Sequence, residues 1–530
     1  MIIIVTIKMI TKTNIKKLYF IFYCLLFTVY WGCASVQEYV ESPGTSQGQI
    51  TILLKGPDKT STDISFDLTA VNILSEDGTY REIMNTPVNI NSIAITGHQI
   101  RMSEKALPEG RYKKLQFIVK QALIKRKDKT ANLALPPEGL EIGIDITITR
   151  NRNTSLFLNW NADASIADGY LFNPVFTVKG QAPELSSLLI YVTNEDSNNV
   201  SVINRQSGDV VATIMVGKKP RGIAVSQVKE YPRVYVANSG SNSISVIDPT
   251  VHKVEMEIPI RFGREPEGIA AAMVSPKKQL IFVTNYGSDN VSVIDTSTYQ
   301  EIEKINVGSG PIAIAVDPPI ESLAGSRFLS FDDIRLLRDY REKFFNVYVA
   351  NKNSRDISII RMDILNSRVD GIMPLSVDWG PIALAVDYQR AKVYAGNYNY
   401  DNLSVIDIIQ IFNKTGAVNA ITNVGTSVTG IISDPDLDRI YLLKENSGEI
   451  MIIRPFSEAI STVKTAMAPV MGTITVGNSP RSLILDTEGR KIYVVNRGSD
   501  NVSVIDKTTS REEKVIPVGK KPYGIAMFPY

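Results

Sequence analysis

The stretch YVTNEDSNNVSVIN, Tyr191–Asn204, decides the fold. It returns as YVANSGSNSISVID from Tyr235, FVTNYGSDNVSVID from Phe282 and YVANKNSRDISII from Tyr348. It returns again as YAGNYNYDNLSVID from Tyr394, YLLKENSGEIMII from Tyr441 and YVVNRGSDNVSVID from Tyr493. A second block accompanies each copy: VGKKPRGIAV from Val216, GREPEGIAA from Gly263, VGSGPIAIAV from Val307 and WGPIALAV from Trp379. It continues as VGTSVTGII from Val424, VGNSPRSLIL from Val476 and VGKKPYGIAM from Val518. Turn residues separate short β-rich runs within each unit, and the units recur roughly every 49 residues. Four strands per unit at this period predict an all-β fold: a seven-bladed β-propeller over residues 188–530. A solenoid is the alternative, but it needs atypical capping units, and both ends here are ordinary repeats.

We name the Gly-Ile-Ala strand A, the Tyr-Val-x-Asn strand B, the Val-Ser-Val-Ile strand C and the run after it D. The repeats enter at a B strand, Leu189–Thr193, and finish on a lone A strand, Gly524–Phe528. Pairing of these two is expected to close the ring and remove two exposed sheet edges. The units resemble the YVTN-type propeller family of archaeal and bacterial surface proteins. The resemblance implies that strand A is innermost, lining a central channel. Propellers of this kind also include lactonases and lyases.

Residues common to the blades read as structure. Tyr191, Tyr235, Phe282, Tyr348, Tyr394, Tyr441 and Tyr493 should pack between blades. Asn194, Asn238, Asn285, Asn351, Asn397 and Asn496 should make the B–C turn by bonding its backbone, with Lys444 breaking the series. Asp248, Asp295, Asp407 and Asp506 should form side-chain turns into strand D. Gly and Ala in strand A suit a crowded centre. Asp434, Asp436 and Asp438 are spaced like the start of a calcium loop, but Arg439 stands where that loop needs Gly.

Residues that vary on one face are the functional candidates, because loops carry binding while a scaffold positions them. Before the small residue of strand A stand Arg221, Glu267, Ile312, Ile382, Thr429, Arg481 and Tyr523, expected to ring one channel mouth. Lys218, Lys219, Lys520 and Lys521 flank the same sector. Together they predict an anion or polar-ligand patch. An insertion, Ile320–Phe345, opens with Ser330 and Asp333 at capping-box spacing. Phe331, Ile334, Leu337, Tyr340 and Phe344 then predict an amphipathic helix of about 14 residues, a lid or a docking element.

Residues 49–182 carry alternating apolar runs: Gln49–Leu54, Ile64–Leu74, Leu115–Ile124, Leu140–Thr149, Thr154–Trp160 and Tyr170–Lys179. They predict an antiparallel β-sandwich. The pieces ITILLKGP, LPEGRYKKLQFIVKQALI and TSLFLNWNADASI with GYLFNPVFTV resemble an uncharacterised domain family of bacterial lipoproteins. Asn159 and Asn161 stand where that family often has acids.

Ahead of it, Lys8, Lys12, Lys16 and Lys17 precede an uncharged run, Leu18–Trp31. That run is short for a membrane span, which takes about 20 apolar residues. With Met1 or Met9 as start, residues 1–32 read as a signal peptide. Gly32-Cys33 resembles a lipoprotein cleavage site, implying lipidation of Cys33 and a tether over residues 33–48. Ala34 lacks the inner-membrane-retaining Asp, which favours the outer membrane or cell surface over a periplasm-facing position.

The chain's 530 residues carry 57 Lys+Arg against 55 Asp+Glu, so no bulk basic signal points to nucleic acid. Its two Cys and two His, with no C-x-x-C-H, give no metal or haem signature and no cofactor. His98 and His252 fall in connections, away from the expected mouth. The reading is a non-catalytic, lipid-anchored envelope protein. Its membrane contact is the lipid on Cys33, and its propeller face meets an envelope protein or polysaccharide. A lactonase- or lyase-type enzyme is the alternative, and an electron-transfer accessory role has no motif behind it.

Overall fold

The computed structural model describes residues 47–127, 129–137, 139–275, 278–412, 418–455, 465–467 and 469–529. The expected signal peptide, Cys33 and the expected tether up to residue 46 lie outside them. The first strand begins at Gln47, inside the expected tether.

Two sheets form the N-terminal part. One has the strand order Val175–Gly180, Asn153–Asn161, Gln47–Lys55, Gln99–Pro108. The other is built on Asp63–Ser75 and Gly110–Arg126, with Tyr80–Met84, Val88–Asn91, Lys129–Leu133 and Leu140–Ile148 added. Period-two patterning explains them: Leu140, Ile144 and Ile148 are buried while Glu141, Asp145 and Thr147 face solvent. The inward residues share one core, in which Phe66 meets Trp160 edge-to-face at 5.3 Å. One pair departs from the expected antiparallel arrangement. Gln47–Lys55 and Asn153–Asn161 run parallel, which the long connection between them allows, since it carries Gln99–Pro108 to the other side of Gln47–Lys55 and builds the opposite sheet.

The rest forms seven four-stranded antiparallel blades. Blade 1 comprises Leu189–Asn194, Asn199–Asn204 and Asp209–Met215, completed by Pro522–Met527, so the last strand pairs with the first B strand. Blades 2 to 7 begin with strands A at Pro220, Pro266, Pro311, Pro381, Val428 and Pro480. Blade 5 gains a fifth strand, Thr465–Met467, lent by the blade 6 C–D connection. Each shared aromatic is buried against strand B of the next blade, for example Tyr191 with Val234 and Val236. Strand A needs small residues because neighbouring A strands nearly touch. A Cβ on Gly524 would lie 2.4 Å from the Arg221 carbonyl, and one on Gly222 2.3 Å from that of Glu267.

The shared Asn residues act differently from the expectation. Asn285 Nδ2 donates across the hairpin to Asn290 at 2.7 Å and Ser292 at 2.8 Å, and the same pattern recurs in blades 1, 2, 4, 5 and 7. They bond strand C side chains instead of the turn backbone, because the amide is folded back under the loop against a close Gly. Asp248, Asp295 and Asp506 behave as expected, accepting from the N–H groups of Thr250 at 2.9 Å, Ser297 at 2.8 Å and Thr508 at 2.8 Å, whereas Asp407 accepts from Gln410 N–H at 3.1 Å at the start of a short helix, Ile408–Phe412. Of the trio spaced like a calcium loop, Asp434 bonds Lys507 at 3.1 Å and Asp438 bonds Arg390.

The insertion helix, α1, spans Phe331–Arg341, shorter than expected. Ser330 and Asp333 form the capping box, but Phe344 belongs to the next strand B. Leu337 is buried beside Tyr388, and Arg327 donates to the Pro435 carbonyl at 2.7 Å, so the insertion straps blades 4 to 6 on the face opposite the mouth. The N-terminal sheets sit elsewhere, on blades 1 and 7. There Gln99 bonds both the N–H and the carbonyl of Val210, at 2.8 and 3.3 Å, and Lys55 pairs with Asp209 at 2.9 Å. Leu53 and Phe157 share a core with Ile203 and Val210. Residues 45–530 thus form one compact unit, with the outer edge of blade 1 covered. No helix among the described residues is long and apolar enough to cross a membrane.

Candidate functional site at the channel mouth

Each D–A connection makes the same entry. The residue just before strand A, which is Lys219, Glu265, Gly310, Gly380, Ser427, Ser479 or Lys521, takes a left-handed φ between 48° and 74°. In four of the seven, Lys219, Glu265, Gly310 and Lys521, the N–H is held at 2.8 Å by Asn198, Asn242, Asp289 and Asp500, respectively, from the B–C turn of the preceding blade. Strand A then carries a register shift against strand B at its second residue in every blade. Such a bulge leaves one residue unpaired and re-aims its side chain. The unpaired positions are Arg221, Glu267, Ile312, Ile382, Thr429, Arg481 and Tyr523, the residues the sequence singled out. One backbone device, used seven times, presents five kinds of side chain at the mouth.

All of them except Arg221 line a channel cavity of about 220 Å³, and Arg221 stands directly behind Glu267. Beneath lie Gly, Ala and Ser, and then an aliphatic ring that includes Ile314, Leu384, Ile431 and Leu483. The mouth is therefore polar on one side, apolar on the other, and apolar at depth.

The polar side is one connected chain. Tyr523 accepts from Arg481 Nη2 at 2.6 Å and donates to Glu267 Oε2 at 3.1 Å. Arg221 bonds Glu267 Oε1 and reaches Glu195 Oε1 at 2.8 Å, while Arg497 bonds Glu195 Oε2 at 2.7 Å. Both guanidinium groups, Arg221 and Arg481, also lie over the Tyr523 ring, at 5.4 and 4.6 Å. Burial opposes the charge on Glu195, but the bonds from Arg497 and Arg221 outweigh it and hold that carboxyl below its usual range. Burial likewise opposes the charge on Arg481, yet Tyr523, with Glu445 and Tyr398 nearby, keeps it protonated.

The structure thus brings Arg221, Glu267, Arg481 and Tyr523 together and leaves the lysines out. Lys218, Lys219, Lys520 and Lys521 are exposed on the rim, and Lys521 pairs with Asp196 at 2.7 Å. Arg221 is occupied by two carboxylates. Arg481 is the cation whose described hydrogen bond goes only to a neutral hydroxyl. Sequence reasoning missed Glu195, Tyr398, Glu445 and Arg497. They share the position directly after the strand B Asn, or after Lys444, which varies among blades as much as the mouth position does.

Lys444 itself is buried, and its Nζ donates to the Val424 carbonyl at 2.6 Å. Burial pushes its pKa down to about 8, against the pull of Asp401 and Glu449. His252 is buried in the blade 2 C–D turn, at the far end of the blade from the mouth, and burial lowers its pKa. His98 is half-buried between strands. Among the described residues no group of three or more His, Cys, Asp or Glu is placed to hold a metal ion.

No protein-family model matches the chain, and no curated protein matches it. Solved structures do. The chain is similar to a functionally unknown protein from Desulfotomaculum acetoxidans, at 10% identity and a TM-score of 0.50, covering 64% of this chain and 99% of that one. It is similar to hydrazine synthase from Kuenenia stuttgartiensis at 17% identity and a TM-score of 0.47, covering 60% and 92%. It is similar to a virginiamycin B lyase from Staphylococcus aureus at 13% identity and a TM-score of 0.41, covering 58% and 91%. At these identities the likeness concerns the fold alone.

Proposed function

We propose that the chain is a lipid-anchored cell-envelope protein whose propeller mouth is a non-catalytic binding site for an envelope protein or polysaccharide. One observation carries the binding reading. Arg481 faces a cavity with only a neutral hydroxyl hydrogen-bonded to it, whereas Arg221 and Arg497 are each bonded to carboxylates. A positioned cation over an apolar floor is the arrangement of a recognition site. Glu267, the carboxylate an acid–base mechanism would draw on, has one oxygen engaged by Arg221 and the other by Tyr523, so neither is free to exchange a proton with a substrate.

The anchor rests on Gly32-Cys33 behind the uncharged run Leu18–Trp31, with Ala34 favouring the outer membrane or cell surface. The resemblance of the repeats to YVTN-type surface propellers, and of the N-terminal sheets to a lipoprotein-associated family, supports the same setting. The experiment is recovery of partners from the native envelope by the full chain and by an Arg221→Ala, Arg481→Ala, Tyr523→Ala triple variant. Loss of specific partners from the triple variant supports the reading, and equal recovery by both sinks it. A Cys33→Ala protein should leave the membrane fraction, and its retention there would refute the anchor.

A further inference from the structure

We infer that the mouth recognises a carboxylate carried on a short apolar body, either a free small acid or the C-terminal residue of a polypeptide. The inference rests on the binding reading above and gives it a ligand chemistry.

Charge comes first. The connected network holds three guanidinium groups, from Arg481, Arg221 and Arg497, and two carboxylates, from Glu267 and Glu195. Glu195 is shared by Arg221 and Arg497, and Glu445 acts on Arg481 through space with no hydrogen bond between them among the described residues, which leaves the Arg481 fork without a bonded carboxylate. A guanidinium with only a hydroxyl bonded to it keeps further N–H donors for a ligand in the cavity. A single carboxylate would engage those donors. The planar fork of Arg481 matches a carboxylate with two parallel N–H···O bonds.

Shape and polarity come next. Across the mouth stand Ile312 and Ile382, and beneath them the aliphatic ring. A sugar acid would set hydroxyl groups against these side chains without hydrogen-bond partners, at a cost for each. A phosphate would bring more negative charge than one guanidinium matches and no apolar surface. A hydrocarbon body beside the carboxylate satisfies both halves of the cavity. Its volume of about 220 Å³ is below the range of drug-sized pockets, so only one residue or a small acid enters.

The test is calorimetric titration of the full chain in detergent with N-acetyl-leucine, N-acetyl-leucinamide, glucuronate, inorganic phosphate and a peptide ending in leucine. N-acetyl-leucine should bind with one site, and the amide at least about tenfold more weakly, as expected for loss of a charge-assisted pair. Arg481→Gln should weaken N-acetyl-leucine binding to a similar extent, and Arg481→Lys, which keeps charge and loses the fork, by less. Near-ultraviolet circular dichroism confirms that both variants are folded. Tighter binding of the peptide than of N-acetyl-leucine identifies a chain terminus as the source, and the reverse a free acid. Equal binding of acid and amide, or tighter binding of glucuronate or phosphate, overturns the inference and leaves a binding mouth in place. Binding of no probe by the folded protein also overturns it. The binding reading falls with it only if the triple-alanine variant recovers the same envelope partners.

Discussion

Replacing Glu195 by Gln tests whether the mouth network is an energetic unit. The Glu195 carboxylate is 4% exposed and accepts from Arg221 Nη2 at 2.8 Å, Arg221 Nε at 3.3 Å and Arg497 Nη2 at 2.7 Å. Hydrogen bonds to charged groups contribute about 1.5–3 kcal/mol each. Two reductions apply. Arg221 keeps Glu267 as a partner, and Arg497 is about one-third exposed, so solvent screens its share. A Gln carbonyl also keeps one acceptor. The net loss is about 2 kcal/mol near neutral pH. The pH dependence adds a sign. The folded pKa of Glu195 lies below its unfolded value, so the wild-type advantage is complete above the unfolded carboxyl range, about 4.3. It is lost as pH falls through the folded pKa. Urea unfolding of both proteins at pH 7 and at pH 3 reads the difference. Equal stability at pH 7, or a gap that does not shrink on acidification, refutes the reasoning.

Other predictions follow from the same contacts. Lys444→Met should stabilise the protein by about 2 kcal/mol near pH 7, because a base whose folded pKa is depressed to about 8 disfavours folding while it is charged. The gain should vanish as pH rises through the unfolded lysine pKa of about 10.4, and a pH-independent gain in a melting series contradicts it. Gly263→Ala should destabilise, since its Cβ would fall 2.1 Å from Asn285 Cγ, and Asn285→Ala should relieve that clash. Additive losses in the double-mutant cycle count against the contact. Gln99→Leu strips the partners from the Val210 N–H and carbonyl and should cost about 2 kcal/mol. Hydrogen exchange at Val210 that stays as slow as in the wild type opposes that role. Deleting residues from Gly524 onward should abolish cooperative unfolding of the propeller, and an unchanged transition contradicts closure through Pro522–Met527.

The blades were legible because the Tyr-Val-x-Asn and Gly-Ile-Ala blocks recur seven times, and one bulged geometry then places every varied residue alike. The mouth ring was legible for the same reason. The ion pairs among its members were not. Glu195 precedes Arg221 by 26 residues and Arg497 by 302, and only ring closure brings the three together. The docking of the N-terminal sheets left a trace that alternation alone did not decode. Asp209–Met215, DVVATIM, is apolar on both faces, whereas the equivalent strand Lys253–Pro259, KVEMEIP, alternates with an exposed face. Two-sided burial of an outermost strand means that something covers it. Tyr80–Met84 and Gln99–Pro108 escaped detection because charged residues interrupt their alternation. The insertion helix ran short because the first residues of the next strand B mimic helical spacing.

The central claim is that a ligand carboxylate meets Arg481 at the propeller mouth. A crystal structure of the full chain soaked with N-acetyl-leucine tests it most directly. The account predicts the carboxylate paired with the Arg481 fork beside Tyr523, and the leucine side chain turned toward Ile312 and Ile382. An empty mouth at saturating ligand, or a ligand bound with its carboxylate away from Arg481, contradicts it.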